Sequence, residues 1–147
     1  VSLQQPLSRA TMTLRSTDPH ADPHFELNLL SDERDFRRSA AGLELAAALV
    51  EHDAFQQIIT GPPTMPRDEG EIRATVKDTM HLSSTVRMGS VGDPEAVVDP
   101  HCRVIGVDGL RVVDASIMPT VASANTYLTV LAMAEVFLAK NPELPQA

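Results

Sequence analysis

Few side chains in this sequence are placed to do chemistry. His81, in Met-His-Leu-Ser-Ser-Thr-Val-Arg-Met-Gly, offers an imidazole, the one side chain whose ordinary pKa, about 6.5, leaves a neutral base near physiological pH. Asn125, in Ser-Ala-Asn-Thr, stands where an apolar helical run begins. Taken one at a time, each has a plainer reading: His81 as a packing or surface histidine, Asn125 as a helix N-cap. The other constellations are weaker. His20 and His24 are four apart but straddle Asp22-Pro23, which breaks the helical face that would aim both at one metal ion. Asp93, Glu95 and Asp99 lack calcium-loop spacing and read as a solvated acidic loop, so no metal site is expected. No Gly-x-Ser-x-Gly surrounds a serine, and Cys102 directly after His101 has no established nucleophile geometry. The glycines (42, 61, 70, 89, 92, 106 and 109) form neither a GxGxxG nor a Walker-type loop, so this chain alone cannot cradle a dinucleotide in the usual way.

The elements that must position these groups follow from periodicity. Ala10 to Ser16 alternate apolar and polar side chains, as a half-buried strand does, and Phe25, Leu27 and Leu29 resume the alternation after the turns at Asp18-Pro19 and Asp22-Pro23. Ser31 is placed to cap a helix whose apolar stripe is Phe36, Ala40, Leu43, Ala47 and Val50. Thr60 to Pro66 is a loop by its Gly-Pro-Pro and Pro66. Ile72, Val76 and Met80 predict a shorter helix leading directly into His81. Arg103 to Val107 and Leu110 to Asp114 read as two strands joined by Asp108-Gly109, the second buried on both faces. A last helix runs from Asn125 to Asn141-Pro142.

Composition bounds the rest. The chain has 147 residues, 43% hydrophobic, with 12 Lys+Arg against 20 Asp+Glu and a formal charge of −8. A body of this size buries roughly two-thirds of its chain surface, so a core is feasible. The acidic balance and 3% aromatic content argue against a nucleic-acid partner. The apolar run Tyr127 to Ala139 is interrupted by Glu135 and is too short for a membrane span of ~20 residues. The single cysteine excludes an intrachain disulfide. The opening Val-Ser-Leu-Gln-Gln-Pro is neither a translation start nor a signal peptide, and suggests one piece of a larger machine.

Taken together, three ordered blocks resemble the C-terminal portion of the glucose-methanol-choline (GMC) oxidoreductases. They are His81 to Gly89, then Ala96-Val97-Val98-Asp99-Pro100, then Arg103 to Pro119 with Ala124-Asn125-Thr126. Ser8-Arg9, Asp18-Pro19 and Asn28 to Asp32 are similar, less specifically, to that family's substrate-side domain. The resemblance implies an α+β chain that is the C-terminal fragment of a two-domain flavoprotein. Residues 1–80 would be part of an antiparallel-sheet substrate domain, 81–95 the catalytic-histidine segment, and 96–147 the strands and final helix completing an FAD-binding Rossmann-like domain. The partner it implies is an N-terminal FAD-binding chain, which would carry the glycine fingerprint missing here.

The resemblance also implies roles. His81 matches the histidine that takes the hydroxyl proton of a small alcohol while hydride passes to flavin N5. Asn125 matches a second catalytic position held by His or Asn in the family; an amide cannot be the base, but it can orient the substrate oxygen. Asn125, Thr126 and Tyr127, at the positive end of the last helix, would face the flavin, and Asp114 and Ala115 would approach its pyrophosphate and ribitol region. Ser84 and Val86 depart from a common Gly and a frequent Cys, and Ser84 would tighten the loop presenting His81. The same scaffold hosts a hydroxynitrile lyase, and a non-catalytic remnant domain is the third alternative.

Overall fold

The computed structural model describes residues 1–142 and divides the chain into two compact units, Val1–Thr79 and the residues from Met80 on. The architecture is α+β. The last five residues of the expected 96–147 segment lie outside the described residues.

In the first unit, strands β1 (Thr11–Thr13) and β2 (His24–Glu26) pair antiparallel with Met12 opposite Phe25. Both are shorter than the alternation predicts. Beyond Thr13 the chain leaves the ladder for local bonds: Ser16 Oγ accepts from the Asp18 N–H and Asp18 Oδ1 from the His20 N–H. Helix α1 spans Glu33–Glu51. Its cap is Asp32, not Ser31: Leu30 turns through a left-handed φ of 57° and is buried, which brings the Asp32 carboxylate onto the Arg34 N–H. The side chain of Arg34 and then its backbone N–H hold the Asp32 carboxyl at about 2. The predicted stripe from Phe36 to Val50 is the half-buried face of α1, while Leu45 and Leu49 lie exposed.

The N-terminal segment runs along α1. Val1 packs so closely on Gly42 that a Cβ there would stand 2.8 Å from Val1 Cγ1. Asp35, fully buried, accepts through Oδ2 from the Leu7 N–H (2.7 Å), the Ser8 N–H (2.6 Å) and Ser8 Oγ (2.8 Å). A short α2 (Asp53–Gln56) follows, and no helix or strand is assigned from Gln57 to Asp68, in keeping with the proline-rich loop.

Helix α3 (Glu69–Thr75) sends Arg73 back onto the Leu30 carbonyl and over the Phe36 ring, 4.6 Å from its centroid. This helix does not lead into His81. Thr75 Oγ1 bonds the Glu71 carbonyl, Val76 turns extended, and Met80 adopts a φ of 58°, so Ile72, Val76 and Met80 share no helix.

The second unit is a meander of short pairings. Residues 84–88 run beside 115–117, with the N–H groups of Ser84, Val86 and Met88 donating to the carbonyls of Ala115, Ser116 and Ile117. Isolated bridges join Met88 to Val98, Val98 to Val104 and Arg103 to Arg111. The expected two-residue hairpin is therefore replaced. Gly106 and Gly109 both take positive φ (83° and 74°), and the Val107 N–H returns to the Val104 carbonyl, so Ile105 to Gly109 make the turn and full strands do not form.

The second run is also not buried on both faces. Val112 and Val113 pack on the core of Val98, Cys102 and Ile117, but Leu110 and Arg111 face outward, Arg111 lying 5.8 Å from the centroid of the Phe137 ring. A 3-10 turn (Ala115–Ile117) precedes helix α4 (Thr126–Lys140). Met133 and Phe137 of α4 cover the core, while Tyr127, Leu128, Leu131 and Val136 are exposed. No helix among the described residues is long and apolar enough to cross a membrane.

Candidate active site

Met80 and the left-handed Ser84 bracket the loop that carries His81. From Ser84 onward that loop is tied to the 3-10 turn at Ala115, which fixes one end of the site. The other end is the start of α4, where Asn125 is the N-cap and its Oδ1 accepts from the Tyr127 N–H at 3.0 Å. Here the two separated motifs meet. Asn125 Nδ2 lies 3.1 Å from His81 Nε2, and Thr126 Oγ1 lies 3.2 Å from His81 Nδ1. His81 and Asn125 are exposed, whereas Thr126 is buried.

The residues expected to contact a cofactor distribute around this pair. Thr126 turns its hydroxyl to His81, so its side chain serves the histidine. Tyr127 gives its N–H to the cap and leaves its ring exposed. Asp114 caps the 3-10 turn, accepting from both the N–H and the hydroxyl of Ser116. The Ala115 carbonyl accepts from the Ser84 and Met118 N–H groups, and its own N–H begins the turn, outside the i to i+3 pattern. Asp114 and Ala115 thus belong to the same small assembly as the His81 loop.

The discarded constellations have partners of their own. His24 Nδ1 meets Arg15 at 2.9 Å and its Nε2 lies 3.5 Å from Glu26, while His20 gives its N–H to Asp18. Among the described residues no group of three or more His, Cys, Asp or Glu is placed to hold a metal.

The acidic loop is paired with arginines that spacing did not single out. Arg87 bonds Asp93 at 2.6 Å and lies 3.5 Å from Glu95; the Glu95 N–H, then the Arg87 guanidinium, hold the Asp93 carboxyl below its ordinary range. Asp99 is buried, which alone would raise its carboxyl. The Arg103 N–H, the Arg103 side chain and the His101 N–H together outweigh that and lower it. Burial, with Asp99 nearby, pushes the Cys102 thiol up, away from nucleophilic use. A cavity of about 270 Å³ beside Arg103, Asp108 and Arg111 contains none of the predicted site residues.

A family model described as GMC oxidoreductase matches residues 6–134. The chain belongs to the GMC oxidoreductase family. Among relatives, it is 40% identical to a 5-(hydroxymethyl)furfural oxidase of Methylovorus sp. (strain MP688), a match covering 90% of this chain and 29% of that protein. It is 39% identical to an oxygen-dependent choline dehydrogenase of Sinorhizobium fredii (strain NBRC 101917 / NGR234), covering 80% and 23%. Among solved structures, pyridoxine 4-oxidase from Mesorbium loti superposes with a TM-score of 0.80 at 27% identity, over 97% of this chain and 29% of that one. A fungal aryl-alcohol oxidase gives a TM-score of 0.74 at 28% identity, over 93% and 24%. This chain therefore spans between about a quarter and three-tenths of the length of the GMC proteins it matches. The cofactor of the family is FAD.

Thr126 has a contact that the sequence did not reveal, its hydroxyl against His81 Nδ1. Its position beside Asn125 was plain, but only the folded chain brings residues 81 and 126 together.

Proposed function

We propose that this chain supplies the base and the substrate-orienting amide of an FAD-dependent enzyme that oxidises small primary or secondary alcohols. A separate N-terminal FAD-binding chain or segment would complete the enzyme. The observation that carries the reading is the His81–Asn125 contact, a base nitrogen and an amide donor 3.1 Å apart on an exposed face. A substrate hydroxyl seated against both would accept from Asn125 Nδ2 and give its proton to His81 Nε2. Imidazole takes the proton while the amide holds the oxygen, so the carbinol carbon is left ready to lose hydride. FAD, when bound, supplies the hydride acceptor.

The residues present fit that cofactor in kind. The start of α4 carries backbone donors and a positive dipole end, suited to negative charge on a reduced isoalloxazine edge. The Ala115 N–H and the Asp114 carboxylate are of the types that meet phosphate and ribitol groups. The relatives and structural neighbours named above, an aryl-alcohol oxidase, a choline dehydrogenase and a hydroxymethylfurfural oxidase among them, support an alcohol as the substrate class.

The test uses the protein that carries this chain, with its flavin, under anaerobic conditions. Benzyl alcohol, 5-(hydroxymethyl)furfural and choline are mixed in turn, and flavin absorbance is followed. At least one should bleach the flavin, and His81→Gln should slow that reduction at least ~10²-fold with the flavin retained. Bleaching by none of them, or an unchanged rate in His81→Gln, would overturn the proposal.

A further inference from the structure

Three hydrogen bonds at the start of α4 form a chain that leaves no freedom in where the His81 proton sits. The cap comes first. Asn125 Oδ1 accepts from the Tyr127 N–H, so this atom must be the amide oxygen, and the amide cannot be flipped without placing its NH₂ against a backbone donor. Nδ2 is therefore the group 3.1 Å from His81 Nε2, and an amide nitrogen can only donate. Nε2 must then accept, which requires its lone pair to be free of a proton. A neutral imidazole has one proton, and it is left on Nδ1, where Thr126 Oγ1 at 3.2 Å is the acceptor. Thr126 is buried, so water does not substitute easily for that hydroxyl.

We infer that Thr126 is a positioning residue: together with the Asn125 cap it holds His81 in the Nδ1–H tautomer and keeps Nε2 as the basic nitrogen facing the substrate. The helix cap and the choice of base nitrogen are one device, since the backbone N–H that fixes the helix start also fixes the amide, and the amide and the Thr126 hydroxyl together fix the ring. The tautomer rests on these three contacts alone, and its catalytic meaning rests on the alcohol-oxidising reading above. Thr126 acts through His81 and needs no contact with the substrate.

The test is a long-range ¹H–¹⁵N correlation on the ring nitrogens of the histidine-labelled protein carrying this chain. The His81 signals are assigned by their loss in His81→Gln. In the wild type, Nε2 should resonate as an unprotonated nitrogen and Nδ1 as a protonated one. Asn125→Asp keeps a competent cap but replaces the amide donor with an acceptor, and should move a proton onto Nε2. Thr126→Val removes the acceptor for Nδ1–H at constant shape and should yield a mixture of the two tautomers, while Thr126→Ser should restore the wild-type pattern.

In turnover, Thr126→Val should lower kcat about tenfold with KM little changed, because the base is present but correctly protonated only part of the time. A protonated Nε2 in the wild type, or a Thr126→Val protein with unchanged ring-nitrogen signals, would overturn the inference. An enzyme that oxidises no alcohol yet shows the expected tautomer would overturn the proposed function and leave this assignment standing.

Discussion

Carboxylates close short turns in both units, at Asp18, Asp32 and Asp68 in the first, but one carboxylate of the first unit reaches much further along the chain. Asp35 is buried and spends itself on an anchor: its Oδ2 collects the Leu7 and Ser8 N–H groups and holds the N-terminal segment along α1. In the second, Asp93, Asp99 and Asp114 each close a turn within a few residues of themselves, and those turns tie together a meander that has almost no regular strand. A long helix tolerates small displacements at its ends. A pair of side chains that must meet at 3.1 Å does not, and the His81–Asn125 pair is found in the unit whose loops are fixed residue by residue.

The largest effect expected from breaking this contrast is at Asp35. Asp35→Ala strands three donors and the Arg38 guanidinium, which pairs with Oδ1 at 3.4 Å. The loss should be about 3 kcal/mol in chemical denaturation, as for a buried hydrogen-bonded charge whose partners are left behind. Amide exchange at Leu7 and Ser8 should rise sharply. The ring-nitrogen signals of His81 should stay as they are, and a shift there would mean that the units do not divide the labour as described.

Acid tests the second unit. The carboxyl of Asp99 titrates lower in the folded chain than in the unfolded one, whose value is about 3.9. On acidification the unfolded chain therefore takes up its proton first. The stabilisation Asp99 provides is complete above about pH 4 and is lost as pH falls through the lower, folded value. Asp93 acts in the same direction. Between pH 6 and pH 3.5 the unfolding midpoint of the wild type should fall, and Asp99→Asn, starting lower, should fall less. Parallel curves for the two proteins would remove Asp99 from the account.

How much of this was legible in the sequence depended on the range of the interaction. The α1 stripe and the Asn125 cap are local patterns with a helical period, and both stand in the structure. The helix predicted to run through Ile72, Val76 and Met80 failed because a threonine hydroxyl and a left-handed methionine outweigh apolar spacing. The hairpin lost its strands to a second glycine, Gly106, whose positive φ lengthens the turn that Asp108-Gly109 alone would have made. The His81–Asn125 pairing came from the family's ordered motifs, since no local period joins residues 44 apart. Thr126 as the partner of Nδ1 was out of reach for the same reason.

The smallest effect is expected at Ser84, set against a residue of the first unit with the same unusual backbone. Leu30 in the first unit (φ 57°) and Ser84 in the second (φ 67°) both occupy the left-handed region, which costs an L-residue roughly 1–2 kcal/mol. Leu30 recovers that cost because its side chain is buried. Ser84 does not: its hydroxyl is shielded from solvent and has no hydrogen-bond partner. Glycine removes both penalties at 84 and keeps the Ser84 N–H bond to Ala115, which is a backbone contact. Ser84→Gly should therefore raise stability by about 1 kcal/mol, whereas Leu30→Gly, made on the same kind of backbone, should lower it. Unfolding midpoints of the two variants measure both signs at once. If Ser84→Gly also destabilises, the Ser84 side chain contributes packing to the His81 loop that outweighs its strain.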